Sequence, residues 1–359
     1  MSCLRGRQAR EAAERRVGPS FRFAIASDLC SLSPVRRAPL RPGLLPTAMI
    51  RIAPAAPQHY EAALELLFDR LSPTERHISV KDVLRSLSGG RIVRHGLLVA
   101  WNDQKLVGSV LYAIQRDRTA FVWPPRICVG EPDKPIADAL VGSLQTSVNS
   151  AGPWIVQALL DPAADDDADA LDRNGFRHLT DLRFLVHMLG DIAPDDSAVE
   201  ASPKPDAEIL TYRPGVHDDR FARLLEQTYV GTRDCPEVGG RRSGQDALVS
   251  HRMSGDFDPA RWKLYRAGGK DAGVMLVNAH SEHAAWEVVY VGVAHDSRGF
   301  GLGRRMVADA LSAARSAGQS ALLLAVDSRN DYASKVYDEL GFVETDRKGV
   351  HIYFPSETT

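Results

Sequence analysis

Two stretches of this chain, set roughly 160 to 166 residues apart, run through the same order of segments. Each opens on a short strand ending in proline, Arg51-Ile52-Ala53-Pro54 and Thr211-Tyr212-Arg213-Pro214. Each continues with an amphipathic helix; in the second, Phe221, Leu224, Leu225 and Tyr229 share one face at helical spacing. Two β-rich runs around a polar turn follow, 96–101 and 106–114 in the first stretch, 262–267 and 272–280 in the second. That is the pattern of a hairpin. Each closes on Gly-Phe and a last strand, from Gly175-Phe176 to Met188 and from Gly341-Phe342 to Phe354. A repeat of this length constrains the fold before any local feature does. It predicts two related α/β domains, 49–190 and 208–359. The segment 191–207, with Pro194, Pro203, Pro205 and five acids, reads as a solvated linker.

The 359 residues are enough for two such domains, and 44 basic against 46 acidic side chains leave a net charge of −2. No apolar run approaches the ~20 residues that span a bilayer, so no membrane partner is expected. Near-neutral charge argues against general nucleic-acid binding. Residues 1–48 stand apart, with nine arginines against three acids and a Pro-rich end from Pro34 to Pro46. They read best as a disordered arm or an over-extended start, with a targeting leader or a basic nucleic-acid arm as alternatives. The cysteines Cys3, Cys30, Cys128 and Cys235 form no C-x-x-C pair and lie near no histidine cluster, so no metal site is expected. A chain this long and poor in cysteine points to a cytoplasmic location. Cys235, in Asp234-Cys235-Pro236-Glu237, lacks the basic surroundings of a reactive thiol.

The chemistry concentrates in the second stretch. Residues 287–293, Glu-Val-Val-Tyr-Val-Gly-Val, read as a buried strand. Arg298-Gly299-Phe300-Gly301-Leu302-Gly303 follows, then a helix with Met306, Val307, Ala310, Leu311 and Ala314 as its apolar stripe and Gly318 as its stop. Strand, glycine loop and helix make an anion site, because the first amides of a helix lack internal partners and glycines permit close approach. A dinucleotide fingerprint fails, since Arg304 or Met306 stands where its last glycine belongs. A triphosphate loop fails because Gly303 precedes Arg304-Arg305. What remains is R-x-x-G-x-G, from Arg298, Gly301 and Gly303.

That motif, after such a strand, resembles the acyl-CoA pyrophosphate motif of the GNAT superfamily of N-acetyltransferases. The strand 321–326 and the run from Asn330 through Ala333 and Tyr337 to Gly341-Phe342 extend the resemblance over 208–354. It implies a mixed α+β sheet in two tandem GNAT-like domains. The first stretch carries Glu131-Pro132-Asp133-Lys134-Pro135 where the glycine loop belongs, Leu171 opposite Tyr337 and Ala164 opposite Asn330. Proline removes amide donors and acids repel phosphate, so that domain is degenerate for CoA binding. Tandem members with one degraded half exist in the superfamily; mycothiol synthases are among them, and residues 289–293 with the glycine loop resemble their active half.

The resemblance implies direct attack of a primary amine on acetyl-CoA. A lysine-like amine near pKa ~10.4 must lose a proton at a cost of ~4 kcal/mol at neutral pH, so the base matters more than the acid. Glu287 is the candidate base, or else a strand-end carboxylate paired with a cation; His280, His283 and His295 are fallbacks. Tyr337 is the candidate acid, or else a core tyrosine. Arg298, Gly299, Gly301, Gly303 and Arg304 are assigned to the pyrophosphate, and Val291, Val293 and Asn330 to the pantetheine arm, with Asn330 also placed to cap a helix. Arg305 reads equally as a phosphate ligand or a solvated side chain. The acceptor is a small-molecule or peptide amine, and the variable segment 234–256 is expected to shape its site. Monomer and homodimer both remain open. The competing reading is a non-catalytic acyl-CoA-binding or regulatory module.

Overall fold

The computed structural model describes residues 50–88, 94–189 and 207–355. The Arg-rich leader at 1–48 and nearly all of the linker at 191–207 lie outside the described residues. The first stretch folds into strands β1 (Ile50–Pro54), β2 (Arg94–Asn102), β3 (Lys105–Ile114), β4 (Thr119–Ile127), β5 (Ile155–Leu160) and β6 (Arg177–Met188). Its helices are α1 (Tyr60–Leu67), α2 (Pro73–Ser88), α3 (Asp133–Ala151) and α4 (Asp165–Asp172). The second repeats the order with β7 (Glu208–Thr211), β8 (Lys263–Ala267), β9 (Lys270–His280), β10 (Ala285–Val293), β11 (Ala321–Asp327) and β12 (Val343–Tyr353). Its helices are α5 (Asp218–Tyr229), α6 (Gly244–Met253), α7 (Leu302–Ser316) and α8 (Asp331–Glu339).

The chain forms two compact units, and they are not simply the two stretches. Among the described residues, one holds 180–347 and the other holds those from 50 to 179 together with 348–355. The closing strands have changed places. Residues 182–188 of β6 pair antiparallel with β11, and residues 349–353 of β12 pair antiparallel with β5. Within each unit the strand pairing is mixed: antiparallel throughout, except that β4 runs parallel to β5 in one and β10 parallel to β11 in the other.

The hairpins form where the polar turns predicted them. Asp103 takes φ 54° between β2 and β3, and Gly268 and Gly269 take φ 57° and 78° between β8 and β9. The opening strand of the second stretch ends at Thr211 rather than Pro214. The amide of Tyr212 still reaches the carbonyl of Trp262, while Arg213 and Pro214 enter the turn into α5. In α7 the stripe Met306, Val307, Ala310, Leu311 and Ala314 is buried, and Gly318 at φ 70° follows its end. A side chain the size of Met306 or Leu311 contributes ~1.5–3 kcal/mol when fully buried, which ties α7 to the sheet that positions the loop before it.

Candidate active site

Strands β10 and β11 pair over only three positions, Ala285–Ala321, Trp286–Leu322 and Glu287–Leu323. Beyond them the strands part. Their continuations, 288–293 and 324–326, line the walls of a cleft of about 750 Å³. A β-bulge between Val288 and Tyr290 adds local twist where the parting begins. The side of β10 facing the gap presents a strand edge, with Val291 and Val293 in the wall. Such an edge suits an extended amide-bearing chain that adds as a further strand.

The loop from β10 to α7 enters the same cleft with Arg298, Gly299, Gly301, Gly303 and Arg304. Gly299 and Gly301 hold φ 87° and 79°, the left-handed region that a side chain strains. Their requirement is conformational rather than spatial, since a Cβ on either would meet nothing within 4 Å. The first amide of the α7 ladder to find a carbonyl is that of Arg305, which donates to Gly301. Among the described turn and loop bonds, the amides from Gly299 to Gly303 reach no carbonyl, so they present donors and the positive end of a helix dipole to the cleft.

Arg298, assigned to the pyrophosphate from its motif position, is bonded to main-chain carbonyls on both sides of the loop. Its Nε donates to the carbonyl of Val293 (3.0 Å), Nη1 to Gly231 (2.7 Å) and Nη2 to Thr228 (2.8 Å). A guanidinium spread over three carbonyls is a clamp: it fixes the glycine loop against the end of α5. Arg304 is bonded to Glu339 at 2.7 Å, and Arg305 lies 3.5 Å from Asp309 one helical turn on.

Tyr337 and Asn330 also line the cleft. Burial, and secondarily the charge of Asp234, raise the Tyr337 phenol above its ordinary value, so it is a neutral donor at neutral pH. Asn330 accepts from the amide of Ala333 through its side-chain oxygen, capping α8. Glu287, at the vertex where the strands part, is buried and bonded to His280 at 2.7 Å. Val288 borders the cleft, but neither Glu287 nor His280 is among its lining residues, so the pair lies behind the cleft wall. His295 reaches the cleft and pairs with exposed Asp296; His283 sits in the turn after β9.

The segment between α5 and α6, most of which falls in the stretch 234–256 expected to shape the acceptor site, brings Asp234, Cys235 and Arg242 into the cleft, and none of these three was singled out as a site residue. Asp234 accepts from the Asp327 amide and Asp327 from the Cys235 amide, both at 2.9 Å. Arg329 forks onto Glu237 at 2.7 and 3.0 Å and also bonds Asp327, bolting the segment to the end of β11. Burial works to raise the Asp327 carboxyl, but bonds from Arg329, Thr180 and the amides of Arg329 and Cys235 outweigh it and hold the group at about 2. Burial and the neighbouring carboxylates push the Cys235 thiol up, so it is protonated and no nucleophile. His251 lies in the cleft wall on Tyr290 at 5.3 Å, its carbonyl held by Asn278, which also accepts from Trp262. Burial and then the charge of Arg242 hold His251 well below the usual histidine range, so it is neutral. Isolated polar residues in an aperiodic loop give no signal of facing a common space; only the bonds to Asp327 and Arg329 reveal it.

Residues 232–342 match the model of the acetyltransferase (GNAT) family. The chain is similar to proteins named mycothiol acetyltransferase. It is 36% identical to that of Streptomyces coelicolor over 140 residues, 38% of this chain and 44% of that one. It is 29% identical to that of Catenulispora acidiphila over 177 residues, 47% of this chain and 52% of that one. With that of Pseudarthrobacter chlorophenolicus it shares 29% over 265 residues, 68% of this chain and 79% of that one. The chain spans about half the length of the first two of these relatives. Its fold resembles a GCN5-related N-acetyltransferase from Sphaerobacter thermophilus, with TM-score 0.59, 18% identity and coverage of 87% and 97% of the two chains. It also resembles a fungal GCN5-related glucosamine N-acetyltransferase region, with TM-score 0.58, 16% identity and coverage of 86% and 38%. The fold is thus the tandem GNAT-like mixed α/β arrangement that the resemblance implied. Among the described residues no group of three or more His, Cys, Asp or Glu is placed to hold a metal, and no helix is long and apolar enough to cross a membrane.

Proposed function

We propose that the C-terminal stretch transfers an acetyl group from acetyl-CoA to a primary amine by direct attack. The observation that carries this reading is the parting of β10 from β11 beside a left-handed glycine loop that lines the gap and whose amides reach no carbonyl among the described turn and loop bonds, with a neutral phenol in the same wall. The cofactor would supply an activated acetyl thioester; its diphosphate fits the amides of 299–303 and its pantetheine arm the edge at Val291 and Val293. Tyr337 donates toward the departing sulfur. Glu287, buried at the vertex of the splay and bonded to His280 behind the cleft wall, draws the amine proton away through water. Arg298 keeps loop and α5 in register.

A non-catalytic acyl-CoA module would need the loop but neither the Tyr337 hydroxyl nor the buried Glu287–His280 pair. The narrower reading, an acceptor of the kind used by mycothiol acetyltransferases, is favoured by the Pseudarthrobacter match because it extends over 68% of the chain. Titration calorimetry with acetyl-CoA, followed by thiol release in the presence of an amine panel, tests the proposal. Micromolar binding with amine-dependent release is expected; binding without release with any amine would leave only the module.

A further inference from the structure

Residues 230–243 join α5 to α6 with no helix or strand of their own, yet Thr232, Asp234, Cys235, Val238 and Gly239 line the cleft. The ends of this segment are fixed by Arg298, which holds the Gly231 carbonyl at 2.7 Å, and by Glu226, which accepts from the Gly244 amide at 2.6 Å. Between them, every described hydrogen bond and ion pair by which residues 233–240 leave the segment goes to Asp327 or Arg329. The inner part of that attachment is buried. The Asp327 carboxylate, with no exposed surface, accepts from the Cys235 amide at 2.9 Å and from Thr180 of β6 at 2.5 Å, while the Asp327 amide donates to Asp234 at 2.9 Å. Cys235 is held there at φ 44°, in the left-handed region that a side chain strains, and its carbonyl accepts from the amides of Val238 and Gly239. The outer part is the fork of Arg329 on Glu237 at 2.7 and 3.0 Å, with the two side chains 41% and 40% exposed. The same guanidinium bonds Asp327 at 2.7 Å, so one planar cation joins both parts.

We infer that Arg329 is a positioning residue for the transfer: through Glu237 and Asp327 it holds the wall at 233–240 in register with Asn330 and Tyr337, and so places the amine against the thioester. Arg329 is followed directly by Asn330, which caps α8, and α8 carries Tyr337. None of Glu237, Asp327 and Arg329 lines the cleft, so each acts through the wall rather than on a ligand. The left-handed turn at Cys235 costs free energy and persists only where bonds from outside the segment impose it. The glycine loop is fastened separately, by Arg298 to Val293, Gly231 and Thr228. The two attachments share no side chain, which puts the effect of Arg329 on the amine and not on acetyl-CoA. This inference rests on the acetyltransferase reading and adds to it the residue that sets the acceptor side of the cleft.

The whole chain is compared with its Arg329→Ala and Glu237→Gln variants, using the preferred amine of the panel above. Arg329→Ala should raise KM for that amine about 10- to 100-fold, the range for lost bonds to a charged group, with kcat within about threefold and acetyl-CoA affinity within about twofold. Guanidinium ion at millimolar concentration should return KM toward the parent value, a rescue that general loosening of the fold would not give. Glu237→Gln removes only the exposed fork and should raise KM about two- to fivefold. Alkylation of Cys235 by a neutral thiol reagent, read by peptide mass spectrometry, follows the wall without any turnover. It should quicken at least about threefold in Arg329→Ala and slow again with guanidinium. KM within about twofold of the parent in both variants, acetyl-CoA affinity lost in step with KM, or Cys235 alkylation unchanged in Arg329→Ala overturns the inference and leaves the enzyme reading intact. Failure of the unsubstituted protein to bind acetyl-CoA, or to acetylate any amine, overturns the parent reading and the inference with it.

Discussion

Where the second stretch has Gly292 and Ala333, the first has Arg126 and Asp167, each 166 residues earlier (126 to 292, 167 to 333). The backbones around these positions correspond closely. β4 pairs with β5 over Thr119–Ile155, Ala120–Val156 and Phe121–Gln157, the same three-position parallel contact displaced by the same 166 residues. The side chains then diverge. Arg126 and Asp167, both buried, close on each other through bonds of 2.5 and 2.8 Å, with Arg70 adding a third at 3.3 Å. Pro124 and Pro125 stand where Tyr290 and Val291 do and remove two amides from the strand edge. At the start of α3, Asp133 lies in the first turn and Glu131 takes bonds from Asn102 and Lys105, so the helix end that would attract phosphate is already faced by acids. One scaffold thus supports an open cleft or a filled one. Side-chain size and charge at a few positions decide which.

The greatest expected difference concerns Glu287 and His280, whose counterparts in the first stretch are Phe121 and Ile114. Glu287→Gln should lower turnover ~10²–10⁴-fold with acetyl-CoA affinity nearly intact, and the deficit should shrink at pH values where the amine is already neutral. Turnover within threefold of the parent in a pH–rate series would make the pair structural. In the first stretch, Arg126→Ala should cost ~3–5 kcal/mol by stranding buried Asp167, read as a lowered denaturation midpoint. Replacing both partners, Arg126→Met with Asp167→Leu, should recover most of it. Neither variant should gain an acetyl-CoA site, because Pro124, Pro125 and Glu131 remain; a second binding event by calorimetry would break the comparison.

A smaller effect comes from the ends of β5 and β11, where Asp161 bonds Lys348 at 2.6 Å and Asp327 bonds Arg329 at 2.7 Å. The Asp327 carboxyl has no exposed surface and is depressed from 3.8 to about 2. A depressed carboxylate contributes stability that is complete above pH ~4 and disappears as pH falls toward 2, here about 2 kcal/mol. Asp327→Asn should remove that contribution and flatten the acid limb of a stability-against-pH curve. Gly301→Val, which strains a left-handed backbone, should weaken acetyl-CoA at least about tenfold; unchanged affinity would remove the glycine loop from the binding site.

Much of the site was legible because its requirements are local. Gly299 and Gly301 are needed for φ, Gly318 for a helix stop and the alternation in β10 for burial, and each leaves a mark within a few neighbouring residues. Arg298 shows the limit of such reading. Its position in the motif is regular, but its guanidinium had three carbonyls within reach at short range, two of them some seventy residues back in the chain. Asp234 left no mark at all, because a loop has no period and its partners Asp327 and Tyr337 lie about a hundred residues away.

The repeat, read from residue order alone, determined that the chain runs through the same α/β order of elements twice and that only the second copy keeps the glycine loop. Local pattern suffices for that, since strand period, turn chemistry and helix stripes are properties of consecutive residues. The tertiary structure decided which sheet each closing strand joins, so that β6 pairs with β11 and β12 with β5. It also decided that Arg126 and Asp167 fill one cleft while Asp234 and Arg242 face the other. The open edges of β5 and β11 offer the same main-chain hydrogen bonds to any strand of the right length, so pairing there depends on long-range packing that no stretch of sequence contains.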